Sequence, residues 1–145
     1  MKAHFVLLCR LVVGGVFIYA SLDKLVHPAA FAEVIHHYRL VPIPLLHLSA
    51  HLLPVVEMVC GVALVLGIRQ RGAALLTAVL TVIFMAAITS ALIRNLDISC
   101  GCFNTDGGHA VGLDLLWRDG ILLALCLPPL LARDRGLGLD RFLRK

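Results

Sequence analysis

The sequence predicts an all-α integral membrane protein, a four-helix bundle with a short amphipathic surface helix between the first and second spans, filling residues 1–145 as a single domain. Three observations predict it. Apolar residues make up 60% of the chain and charged residues 15%, against the roughly 45 to 50% apolar content of a soluble domain. The apolar residues come in runs close to the length needed to cross a hydrocarbon core of about 30 Å as a helix. Most of the charges fall between those runs or after the last one, where a bilayer would leave them in water.

The first run, residues 5–22, is "FVLLCRLVVGGVFIYASL" and carries one charge, Arg10. With Arg10 inside the run and no small-residue cleavage site after it, this segment is expected to stay as a helix rather than be removed as a signal peptide. Residues 28–40, "PAAFAEVIHHYRL", read as the amphipathic helix, lying along the membrane surface before the proline-rich break at residues 41–44. The second span covers residues 45–66. The third, residues 72–93, holds no charge, and Ala73, Thr77 and Thr81 form a ridge of small residues on which a neighbouring helix could approach closely. The fourth, residues 113–132, is the shortest in apolar terms, because Asp114, Arg118 and Asp119 open it and Pro128-Pro129 lie near its end. Its uncharged centre of about 12 residues depends on packing against the other three spans.

A formal charge of +4 raises the question of nucleic acid, but the basic residues form no patch with interleaved aromatics, so they are read as topology signals and no nucleic-acid partner is expected. With the N-terminus in the cytoplasm, nine of the 13 Lys and Arg residues fall on the inner side, among them Lys2, Arg10, Arg69, Arg71 and the five beyond residue 132. Both termini are then cytoplasmic, the bilayer is the first partner, and a bacterial inner membrane would leave the segment between the third and fourth spans in the periplasm.

That segment carries "DISCGCFNTDGG", residues 97–108. The periplasm favours disulfides, and in extended backbone residues two apart point to the same side, so Cys100 and Cys102 can meet across Gly101. A disulfide closed over one residue is strained and therefore easily reduced, which suits an exchanging pair better than a staple. A permanent disulfide, two idle thiols and a metal-binding pair remain as other readings.

Four spans, "DKLVHP" at residues 23–28, "VVEMVCGVALVLG" at 55–67 and "CGCF" at 100–103 together resemble the MauE branch of the DoxX-like membrane proteins. The resemblance covers nearly the whole chain, and "CGCF", with Phe103, is its most specific element. It implies a thiol-disulfide redox protein of four membrane helices. Such a protein works beside a periplasmic thioredoxin-like partner during maturation of a disulfide-rich enzyme such as methylamine dehydrogenase. The family pattern often continues with Gly where Asn104 stands here. The thiosulfate:quinone branch of the same proteins implies a membrane quinone as electron acceptor or donor, although no quinone motif is legible and no cofactor is certain.

Other polar residues complete the candidate set. Glu57 lies inside the second span, where a charge costs at least ~2.5 kcal/mol, and it is expected to be protonated or paired, with Arg10 on the first span as the candidate partner. A carboxylic acid hydrogen-bonded to a hydroxyl is the plainer alternative. Asp23 and Lys24 are expected just beyond the first span, either as solvated anchors or, being near "CGCF", as groups that stabilise a thiolate, since a nearby cation lowers a thiol's pKa. His47 and His51, four residues apart and so on one helical face, could join His109, Cys100 and Cys102 in binding copper or zinc. Cys9, Cys60 and Cys126 fall inside spans and read as small apolar fillers. Cys100 and Cys102 are thus the candidate catalytic pair, with Gly101, Phe103, Glu57, Asp23, Lys24 and Arg10 in support. A quinone-linked oxidoreductase subunit, a scaffold that only recruits the partner and a metal-handling membrane protein are the alternatives.

Overall fold

The computed structural model describes residues 3–95 and 113–131. Among them are five helices: α1 Ala3–Val26, α2 Pro28–Tyr38, α3 Ile43–Leu66, α4 Gln70–Ile93 and α5 Leu113–Leu131. Their limits follow local chemistry. Pro28 and Pro44 stand in the first turns of α2 and α3, where a missing N–H is no loss. The residues that end or separate helices, Arg39, Gly67, Arg69 and Asn95, are in the left-handed region, and Gly67 (φ 72°) needs no Cβ there.

The helices α1, α3 and α4 are long and apolar enough to cross a membrane. Their outer faces agree: Phe5, Leu8, Leu48, Val59, Leu76 and Ile83 are each at least half exposed, a continuous apolar surface that water would not tolerate. The first two spans are longer than their apolar runs suggest. Because α1 continues to Val26, Asp23 and Lys24 sit in its last turns rather than after its end.

Helix α1 runs antiparallel to α3, and two glycines set the distance between them. A Cβ on Gly14 would stand 2.8 Å from the carbonyl oxygen of Gly61, and one on Gly61 would stand 2.9 Å from that of Gly14 and 3.1 Å from the backbone nitrogen of Ile18. Only glycine lets the backbones meet this closely, the usual basis of tight association where lipid removes the hydrophobic drive between helices. Val13 and Phe17 of α1, Leu64 of α3, Ala73 and Ala74 of α4 and Cys126 of α5 form the main core. The small-residue ridge lies at that seam: Ala73, Thr77 and Thr81 are buried, and Thr77 Oγ1 is 3.9 Å from Cys126 Sγ. Cys9, Cys60 and Cys126 are buried free thiols. Helix α2 folds back on the first half of α3, burying Phe31 and Ala32 against Leu46 and Ala50.

Candidate functional site: a buried ion pair beside an apolar cleft

Lys24, in the last turn of α1, reaches across to α3. Its Nζ is 2.9 Å from both Glu57 Oε1 and Oε2, and each side chain is 2% exposed. The ammonium also lies 5.1 Å from the ring centroid of Phe31 on α2 and 4.8 Å from that of Phe84 on α4, within the range of cation–π attraction. Four helices therefore converge on one positive charge.

Above this pair runs a cleft of about 400 Å³, its open mouth included. Val16, Phe17 and Ala20 of α1 form one wall, Thr81 and Phe84 of α4 another, and Arg118, Asp119 and Leu122 of α5 the third. Arg118 and Asp119 are themselves paired at 3.0 Å, Asp119 the more deeply buried. From α2, Tyr38 approaches this second pair: burial, and secondarily the charge of Asp119, push its phenol up to about 12, so it stays protonated. Arg94 at the end of α4 donates to the Tyr38 carbonyl at 3.1 Å, tying α2 over this end of the helices.

The expected Arg10–Glu57 pair is not formed. Arg10 is 1% exposed and donates from Nε to the Leu64 carbonyl at 3.0 Å, from Nη2 to the Val65 carbonyl at 3.3 Å and from Nη1 to Gln70 Oε1 at 3.3 Å. It places a positive charge at the negative end of α3, where the Leu64 carbonyl also accepts from the Gly67 N–H. Nor is Lys24 a solvated anchor. That description suits Asp23 better, a quarter exposed and 3.6 Å from His27 Nδ1 on the following turn.

His47 and His51 lie on the exposed face of α3, where His51 Nδ1 is 2.9 Å from the His47 carbonyl of its own helix. Among the described residues no group of three or more His, Cys, Asp and Glu side chains could hold a metal ion. Cys100, Gly101, Cys102, Phe103 and His109 lie outside the described residues. The sequence reading missed Asp119 as a site residue, although a carboxylate in an apolar segment is the signal that picked out Glu57. It also missed Phe31, Phe84 and Thr81, which carry no such signal.

Residues 2–132 match the model of a family described as methylamine utilisation protein MauE. The chain belongs to the MauE family. Its relatives include the methylamine utilization protein MauE of Paracoccus denitrificans, 34% identical over 119 residues, a match covering 81% of this chain. The match spans 64% of the length of that MauE protein, just under two thirds. No solved structure matches this MauE-family chain.

Proposed function

We propose that this MauE-family chain is an inner-membrane thiol-disulfide redox protein that exchanges disulfides with a periplasmic thioredoxin-like partner through Cys100 and Cys102. In this reading α5 is a fourth crossing, α2 lies at the outer surface, and both termini are cytoplasmic. One cysteine thiolate attacks the partner's disulfide, or the partner's thiolate attacks the Cys100–Cys102 disulfide. Either route forms a mixed disulfide that the second thiol resolves, so that one disulfide forms for each one broken. The name of the Paracoccus relative supports methylamine utilisation as the setting, with a disulfide-rich enzyme such as methylamine dehydrogenase as the beneficiary.

One observation carries the reading. Helix α4 ends at Ile93 and α5 begins at Leu113, the cysteine-bearing segment lies between them in the chain, and those two helices form two walls of the cleft. The cysteine-bearing segment is thus anchored at the same end of the helices as the Lys24–Glu57 and Arg118–Asp119 pairs. The resemblance to the thiosulfate:quinone branch makes a membrane quinone the carrier that this reading names. Such a carrier would supply two-electron, two-proton chemistry for resetting the cysteine pair.

Thiol trapping in whole cells tests the exchange. Acid quenching and alkylation of Cys100→Ser and Cys102→Ser variants should capture a mixed disulfide with one variant and not the other, because only the attacking thiolate begins exchange. Wild-type maturation activity in both variants, with no captured partner, would rule the mechanism out.

A further inference from the structure

We propose that Gln70, Arg10 and the first turn of α4 form a site for the phosphate of an anionic phospholipid headgroup, at the end of the helices where α3 turns into α4. The site lies at the opposite end of α4 from the cysteine-bearing segment, so it rests on the membrane setting alone and stands or falls apart from the exchange reading. It begins with one unmet hydrogen bond. Gln70 is 7% exposed, and among the described residues its Nε2 is a buried donor with no acceptor. Nearly all buried polar groups find a partner, because a donor kept from water and left unbonded is costly. The oxygen of the same amide accepts from Arg10 Nη1 at 3.3 Å, so the orphan N–H and the guanidinium border one space. Gln70 is also the first residue of α4, which puts that space at a helix N-terminus.

That position selects an anion. The first N–H groups of a helix have no carbonyl of their own helix to bond, and they carry the positive end of its dipole. At α4 the N-cap residue, Arg69, is left-handed and supplies no side-chain cap. The backbone is approachable there, since a Cβ added to Gly72 in the first turn would meet nothing within 4 Å. Phosphate oxygens bind such N–H groups readily, and Arg69 and Arg71, both exposed, flank them with further positive charge. The surroundings say what carries the phosphate. Leu66 before the turn and Leu75 and Leu76 after it are exposed, which lays hydrocarbon beside the polar end for acyl chains to cover. The chain's own residues 132–145 are poor competitors. Helix α5 does finish at this end, where Cys126 packs with Ala73 and Ala74, but five Lys and Arg against two Asp make the sequence beyond it basic. A basic site at one face of a membrane bundle instead matches an anionic headgroup.

Full-length protein is reconstituted in phosphatidylcholine vesicles with a trace of phosphatidylglycerol spin-labelled near the end of one acyl chain. The motionally restricted fraction of this label is compared with that of the same label on phosphatidylcholine. The anionic lipid should be favoured about fivefold or more, the effect of one cation at a membrane surface. Gln70→Met removes the orphan donor without altering net charge and should lose most of that preference. Because Gln70 also holds Arg10, folding of this variant is checked by thermal unfolding, and Gly72→Glu is measured beside it. That substitution sets a carboxylate in open space at the first turn, where the helix dipole favours it, so the fold stands while a phosphate is repelled. Lost preference in both folded variants supports the site. Equal restriction of the two labels in the wild type, or an undiminished preference in folded Gln70→Met or Gly72→Glu, overturns it, the surface arginines then attracting the lipid without a site. Inorganic phosphate added at constant ionic strength separates the sources: an unchanged restricted fraction supports the lipid headgroup, and displacement of the label overturns it in favour of the free anion.

Discussion

Helix α1 carries two buried cations about 21 Å apart along its axis, and they are held in opposite ways. Arg10 donates to the Leu64 and Val65 carbonyls at the end of α3 and to Gln70. Lys24 meets a full carboxylate and two aromatic rings beside empty space. Planar Arg, with five donors in a fixed fork, suits a clasp between backbones, while compact Lys suits a point charge at a site with room beside it. The contrast separates a cation that fastens the end of a helix from one that neutralises a buried carboxylate between helices.

The largest expected effect would break the contrast if it failed. Lys24→Met alone strands the Glu57 charge and should cost about 3–5 kcal/mol, whereas adding Glu57→Leu should restore most of that stability, since an apolar pair often replaces a buried ion pair without loss. Arg10→Met removes the hydrogen bonds to the Leu64 and Val65 carbonyls and to Gln70, so no second substitution at Glu57 should relieve its loss. Unfolding in mixed detergent micelles measures all of these; relief of Arg10→Met by Glu57→Leu would remove the distinction. Next comes Gly61→Ala, which pushes a methyl group into the Gly14 carbonyl and should cost about 1–3 kcal/mol by overpacking. It should also loosen the Lys24 end, whose pairing depends on this contact. Thr81→Val tests the wall rather than the pair: its hydroxyl bonds to the Thr77 carbonyl of its own helix, and its loss should cost about 0.6 kcal/mol, an average value for polar contacts within membranes. The smallest effect is spectroscopic. The tyrosinate absorbance lost in Tyr38→Phe should appear only near pH 12, because burial beside Asp119 favours the neutral phenol. A midpoint near pH 10 would mean that α2 does not cover this end.

The helices were legible because apolar runs, prolines and the glycine at residue 67 act locally. The partner of Glu57 was not, because it depends on the register of α1 against α3. Judged by depth from the cytoplasmic end, Arg10 and Glu57 looked one to two turns apart. The Ile18–Gly61 contact sets a different register. It puts Glu57 about 6 Å and Lys24 about 9 Å toward the far end, and Arg10 about 12 Å the other way, so that roughly 18 Å separates Arg10 from Glu57. Nothing in a single chain marks Gly14 and Gly61 as the contacting pair rather than Gly15 or Gly72, which face open space. Asp119 was visible as a charge in an apolar run, but its place beside Lys24 required the packing of α5.

The separation of 33 positions between Lys24 and Glu57 also bears on how the protein is made. Synthesis delivers the ammonium long before its carboxylate, and until α3 emerges the end of α1 has no counter-charge with which to enter hydrocarbon. A ribosome-arrested chain ending before Glu57 is expected to leave Lys24 open to a water-soluble amine reagent, and one extending past Leu66 to protect it. The first helix is then provisional at one end during translation, and α3 completes its insertion by supplying the missing charge.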